Sequence, residues 1–364
     1  MRMHRCSKNW QQLTSEPSSW SPIHLVFSVR TVEHGICQAL FSTFQHVPPI
    51  CKLTISLDVD GLDDSIVEHL YTKVFAQPTL QSLTLIDINH KRRSSENPPP
   101  PNWVTGLERN CQALKSLILP TYIARQSRLV HVSTLTSLDV THAYVSTDQT
   151  AIDYTEMQLR NPHLQSLHLD LCDRFPLRVH LPALTTLSIT TNYMNNEMKS
   201  FWASLLDPSN YLPALKHFKL DCWDRYGKAW STRNLYLLHT HFVSLDICLS
   251  GDQKKPLIER LTDSIFFGTD PQRPRPSTLD ADSKLRTIRV NIEYQHSNFS
   301  DIEQILRVLE SCPTLQTFHL QIAHNNMTPD FLLAGLRGSN LPSADIWTIS
   351  KSSPSTVSFQ RGGG

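Results

Sequence analysis

The unit L-x-x-L-x-L returns along the whole chain, and no other feature constrains the fold as strongly. It reads P-T-L-Q-S-L-T-L at 78–85, A-L-K-S-L-I-L at 113–119 and T-L-T-S-L-D-V at 134–140. It continues as P-H-L-Q-S-L-H-L at 162–169, P-A-L-T-T-L-S-I at 182–189 and P-A-L-K-H-F-K-L at 213–220. The later copies are H-F-V-S-L-D-I at 241–247, K-L-R-T-I-R-V at 284–290 and P-T-L-Q-T-F-H-L at 313–320. I-C-K-L-T-I at 50–55 and W-S-P-I-H-L at 20–25 extend the series toward the start. From Leu80 onward, the first apolar positions are separated by 34, 21, 29, 20, 31, 27, 43 and 30 residues.

The spacing dictates an architecture. In L-x-L the two apolar residues alternate with a polar one, so both fall on one side of a strand. Burying each leucine contributes about 1.5–3 kcal/mol. One strand cannot bury its apolar side alone. Parallel strands stacked side by side can, if each connection crosses back behind the sheet.

The intervening segments have helical periodicity. D-D-S-I-V-E-H-L-Y-T-K-V-F places Ile66, Leu70 and Val74 on one face, with Asp63 or Asp64 at the N-cap. S-D-I-E-Q-I-L-R-V-L-E-S-C-P aligns Ile302, Ile305, Leu306 and Leu309, and Pro313 stops it. Segments 33–45 and 200–206 read the same way. The expectation is an α/β leucine-rich-repeat solenoid, a horseshoe with parallel strands on the concave face and helices on the convex face.

This solenoid is predicted over residues 20–349. Loop insertions are expected at 91–102 (K-R-R-S-S-E-N-P-P-P-P-N) and 268–283. Residues 350–364, rich in serine and ending in three glycines, read as a disordered tail.

Composition excludes several classes. The 34 basic and 33 acidic residues leave a formal charge of +1, so overall charge makes no case for nucleic acid or an anionic membrane as partner. No window is long and apolar enough to span a bilayer, and the first ten residues lack a signal-peptide core. The expected location is cytoplasmic or nuclear. The eight cysteines form no C-x-x-C pair and read as buried thiols in a reducing compartment.

No catalytic or metal motif emerges. D-V-D-G-L-D-D-S at 58–65 lacks the calcium-loop ligands: counted from Asp58, position 5 is Leu62 and position 12 is His69. It reads as a capping turn. The 17 histidines contain no H-E-x-x-H spacing, and no phosphate loop or nucleophile elbow is present. The chain is expected to be no enzyme and to hold no cofactor or metal.

Binding residues follow from the strand pattern. The position between the last two apolar residues faces away from the core. That row reads Thr84, Ile118, Asp139, His168, Ser188, Lys219, Asp246, Arg289 and His319. It becomes more charged toward the C-terminal half, with Asp170, Asp221 and Glu293 nearby. Mixed charge on a concave surface suits recognition of a protein target. The row two residues earlier is Ser82, Ser116, Ser137, Ser166, Thr186, His217, Ser244, Thr287 and Thr317, small hydroxyls that read as serving the sheet itself.

The repeats E-S-C-P-T-L-Q-T-F-H-L (310–320), N-C-Q-A-L-K-S-L-I-L (110–119) and L-H-L-D-L-C (167–172) are similar to the cysteine-containing repeat of F-box/leucine-rich-repeat proteins, the substrate receptors of SCF-type ubiquitin ligases. C-S-K-N-W-Q-Q-L-T-S-E-P-S-S-W-S-P-I-H-L at 6–25 resembles the end of an F-box running into a first repeat. Cys6, Trp10, Leu13 and Trp20 fill the roles of that junction, which makes residues 1–19 an F-box C-terminal remnant. The front of the F-box, an L-P-x-E-I-like helix start, does not appear in the sequence, so the module is incomplete. The resemblance implies a target protein on the concave face, a Skp adaptor on the F-box, and a role in ubiquitin-dependent degradation. A free-standing repeat scaffold is the alternative. A GTPase-activating repeat protein fits less well, because those proteins resemble a more regular repeat.

Overall fold

The structure, a computed structural model, describes residues 23–27, 51–57, 79–87, 111–120, 132–141, 152–154, 159–170, 172–176, 178–191, 204–205, 207, 209–224, 242–251, 284–293, 314–322, 347–353 and 356–361. The predicted returning helices, the F-box remnant with Cys6, Trp10, Leu13 and Trp20, the 58–65 turn and both loop insertions lie outside these residues, apart from Ser204 and Leu205 of the 200–206 segment.

Each L-x-L segment is a strand, and consecutive segments are neighbours. The first strands are β1 (Ile23–Phe27), β2 (Lys52–Leu57), β3 (Ser82–Asp87), β4 (Ser116–Pro120) and β5 (Ser137–Thr141). β6 (Ile152–Asp153) is short, then come β7 (Ser166–Leu169), β8 (Cys172–Arg174) and β9 (Thr186–Thr191). β10 (His217–Asp224), β11 (Ser244–Gly251), β12 (Thr287–Glu293) and β13 (Thr317–Ile322) follow. β14 (Trp347–Ser353) and β15 (Thr356–Arg361) complete the series.

Thirteen strands form one open sheet in the order β1-β2-β3-β4-β5-β7-β9-β10-β11-β12-β13-β15-β14, and β1 through β13 in that order are all parallel. The register never slips along this run. Leu83 aligns with Leu117, Leu117 with Leu138, and Leu138 with Leu167. The alternation explains this, since a one-residue slip would turn every leucine out of the core.

The apolar side is closed. Leu53, Leu83, Leu117, Leu138, Leu167, Leu187, Phe218, Leu245, Ile288 and Phe318 are all buried in one line across the sheet. The first leucine of seven units (Leu80, Leu114, Leu135, Leu164, Leu184, Leu285 and Leu315) is buried in a second line, and Leu215 of the 213–220 unit is half-buried.

Between these lines the backbone makes a repeated joint. The carbonyl of the residue just ahead of each strand accepts two N–H groups from the next repeat. Gln81 O takes Lys115 and Ser116, Lys115 O takes Thr136 and Ser137, and Thr185 O takes Lys216 and His217. The same joint continues through Lys216, Val243 and Arg286. In the parallel run from β3 to β13, each strand start is thereby fixed to the preceding strand by two bonds of 2.8–3.1 Å.

A small second layer lies beside the middle of the sheet. β6 pairs with β8, and His180 bridges to Tyr211, whose ring stacks on it at 4.9 Å. Asn210 ties this layer together: its Oδ1 accepts from Val179 N at 2.8 Å, and its Nδ2 donates to Ser204 O at 2.7 Å. Asn161 is the opposite case. It is 0% exposed, yet neither atom of its side-chain amide has a hydrogen-bond partner.

The C-terminal segment departs from the sequence reading. Residues 350–364 were expected to be a disordered tail, but β14 and β15 form an antiparallel hairpin that joins the sheet at β13. Val357 and Phe359 are each 1% exposed, and Phe359 meets Phe318 at 5.4 Å between ring centroids. A last parallel strand leaves an unpaired edge. An antiparallel hairpin can cover it with a short turn, where another parallel strand would need a long crossover.

Candidate functional site

Parallel sheets are usually covered on both faces. Here the face opposite the core is polar and half-exposed across the described strands. The uniform register turns the outward positions into straight lines. Thr84, Ile118, Asp139, His168, Ser188, Lys219, Asp246, Arg289 and His319 are consecutive register partners. The structure therefore brings all seven candidate binding residues (Thr84, Asp139, His168, Lys219, Asp246, Arg289, His319) into one row. It also lengthens the row, to Thr54 and His24 at one end and to Ser358 and Ser350 at the other.

The row contains two electrostatic settings. In the middle, His168 Nε2 lies 3.9 Å from Asp139 Oδ1, the one ion pair found among the described residues. Partial burial pushes the Asp139 carboxyl above its ordinary value, the His168 ring opposes this, and the nearby Asp170 carboxylate adds to it. Farther along, Lys219, Asp246 and Arg289 stand on successive strands. Among the described residues they form no ion pair and no side-chain hydrogen bond.

At the end of the row, His319 Nδ1 sits 2.7 Å from Ser358 Oγ. Burial, and then the Arg289 charge, hold the His319 ring below the usual histidine value. The ring is thus biased toward its neutral form. The sequence reading missed Ser358 because it lies in the segment taken as a tail. The alternation T-V-S-F-Q-R was the available signal.

The next outward row carries Thr190, Asp221, Cys248, Asn291 and Gln321 in register. Asp221 Oδ1 and Asn291 Oδ1 lack partners, as does Asp139 Oδ1 in the first row. The earlier hydroxyl row differs from expectation. Ser82, Ser116, Ser137, Ser166, Thr186, Ser244, Thr287 and Thr317 are half-exposed, and their hydroxyls make no hydrogen bond among the described residues. The sheet is held by backbone, with Thr134, Thr136, Thr185 and Thr314 adding side-chain bonds just ahead of the strands.

Other chemistry finds no support among the described residues. No group of three His, Cys, Asp or Glu side chains is placed to hold a metal. Cys111 and Cys172 are buried and Cys51 and Cys248 half-buried, all as thiols. Burial pushes the Cys111 thiol up to about 12, which keeps it protonated and unreactive. No helix among the described residues is long and apolar enough to cross a membrane. No family model matches the chain, and no curated protein matches it.

Proposed function

We propose that the chain is a protein-binding leucine-rich-repeat module whose polar sheet face holds a target protein. One observation carries this reading: Lys219, Asp246 and Arg289 stand side by side, half-exposed or exposed, with no ion pair or side-chain hydrogen bond among the described residues. Unpaired charges of alternating sign on a rigid sheet contribute little to folding. They do select a partner of complementary charge and set its register. In this reading the sheet face is the concave side of a horseshoe, and the returning segments are helices on its convex side.

The proposal extends to a substrate-recognition subunit of an SCF-type ubiquitin ligase. Its support is the resemblance of the cysteine-containing repeats and of the 6–25 junction to F-box/leucine-rich-repeat proteins. The module would then catalyse nothing. It would present a target while other subunits transfer ubiquitin. A free-standing scaffold would use the same face without an adaptor.

Co-purification with a Skp adaptor tests the ligase role. Binding by the full chain that is lost when residues 1–20 are removed supports it. Absence of binding by the full chain leaves the scaffold reading. The face itself is tested by Lys219→Glu with Arg289→Glu. This pair should change the set of proteins captured from a lysate and leave stability within about 0.5 kcal/mol of the parent. An unchanged set would remove the face from the proposal.

A further inference from the structure

Parallel strands all start on the same side of the sheet, so charges at equivalent sequence positions collect on one rim. Ahead of the outward row, the described residues at the strand starts include Lys52, Lys115, Lys216, Lys284, Arg286 and, by its antiparallel register, Arg361. No Asp or Glu occurs among them. Beyond that row, the strand ends carry Asp87, Asp170, Asp221, Asp224 and Glu293, and among the described residues of the large sheet the one cation there is Lys351 on β14. A chain with a formal charge of +1 therefore has, among its described residues, a cationic rim and a mainly anionic one.

The cationic rim is also periodic. The doubly bonded joint runs from Lys216 through Val243 and Arg286 to Gln316, and a single bond from Arg361 N to Gln316 O extends the line, one residue per strand. A basic side chain thus recurs at every second strand. Neighbouring strands are about 4.8 Å apart, so the repeat is about 10 Å. Three residues of an extended polyproline-II chain, at about 3.1 Å each, cover nearly the same distance and return the side chain to the same face.

The adjoining hydroxyls choose between an extended and a helical occupant. Ser244, Thr287 and Thr317 lie beside this strip, half-exposed and without side-chain hydrogen bonds among the described residues. An extended peptide brings backbone N–H and C=O groups that need partners, and a helix has already satisfied its own.

We propose that the strand-start rim from β10 to β15 is a docking strip for an extended acidic segment of a partner protein, with a carboxylate at every third residue. Lys216, Arg286 and Arg361 meet successive carboxylates, and the hydroxyl row meets the peptide backbone between them. This strip lies apart from the outward row of the proposed target-binding face. It stands whether or not the chain joins a ligase.

The test uses the full chain and three labelled synthetic peptides. One carries Glu at every third position, one has the same glutamates clustered, and one has Lys in place of Glu. Anisotropy should show the spaced Glu peptide binding about tenfold more tightly than the clustered one, and the Lys peptide not binding. Raising the salt above about 150 mM should weaken it. Lys216→Glu with Arg286→Glu should abolish binding, and the milder Lys216→Gln with Arg286→Gln should weaken it about tenfold. Lys219→Glu, on the face, should leave it unchanged, so that the rim and the face can fail separately. Equal affinity for the spaced and clustered peptides would overturn the proposal. So would tighter binding of a single-stranded oligonucleotide, of phosphatidylserine vesicles, or of a helix-forming peptide with Glu at every seventh position.

Discussion

From β2 to β9, the buried line beneath the polar face is leucine at every strand: Leu53, Leu83, Leu117, Leu138, Leu167 and Leu187. From β10 onward it becomes Phe218, Leu245, Ile288, Phe318 and Phe359. Phe218 stacks with Phe242 at 5.2 Å, and Phe318 meets Phe359 at 5.4 Å. Strand length changes with it. β5 and β7 have five and four residues, whereas β10 and β11 have eight each and β12 has seven. The two halves also differ outside: the first shows Thr54, Thr84 and Ile118 and then the Asp139–His168 pair, and the second shows Lys219, Asp246 and Arg289, unpaired among the described residues.

The difference separates the source of stability from the source of recognition. Exposed unpaired charges add little to folding. The half that displays them holds its strands by longer ladders and by aromatic contacts, which are worth more than their area alone. The earlier half has a quieter surface and short strands, and its middle strands have the second layer beside them. One repeat grammar thus supports a neutral surface or a charged one, with the core adjusted beneath.

The largest test removes a core side chain from each half. Phe318→Ala should cost about 3–5 kcal/mol and Leu167→Ala about 2–5 kcal/mol. In a repeat stack each repeat depends chiefly on its neighbours. Hydrogen exchange should therefore show Phe318→Ala loosening β12, β13 and β15 while β5 and β7 keep their protection, and Leu167→Ala doing the reverse. Equal loosening everywhere would mean that the halves are one cooperative unit.

A smaller effect of opposite sign is expected at Asn161. The equivalent turn positions in neighbouring repeats are Cys111, Val132 and Leu181, all buried. Asn161→Leu should stabilise the chain by about 1–3 kcal/mol, because it removes a buried amide that has no partner. A denaturant midpoint that falls instead would show that the amide is satisfied.

The smallest effect is the pH dependence that His319 contributes in the second half. The folded state holds His319 below its ordinary value, so the unfolded chain binds a proton more readily. The stabilisation is therefore complete above about pH 6.5 and is lost as pH falls through that unfolded value toward the lower folded one. His319→Gln should flatten this slope near β13 and leave the Asp139–His168 region unaffected. An identical slope in the variant would assign the dependence to other groups.

Much of the sheet was legible because its signal is local. Leu83 and Leu85, or Phe318 and Leu320, announce a strand and its buried side without reference to anything distant. The outward row was legible for the same reason, since equal repeats impose equal register. Three things were not. The β14–β15 hairpin is written in serine-rich sequence, and its burial depends on an edge that exists only once β13 is placed. The two- and three-residue strands of the second layer are too short to carry a pattern. The charge segregation disappears in a net count of +1, because it depends on strand direction rather than on composition.

The doubly bonded joint has a consequence for how such a chain can change over time. Spacings of 20 residues between Leu164 and Leu184 and of 43 between Phe242 and Leu285 both advance the sheet by one strand, and the register on either side is the same. The geometry is stored at the two ends of each crossing, so the crossing itself is open to insertion, replacement or the grafting of a foreign domain. Innovation in the connections and conservation of the display surface are thereby made independent.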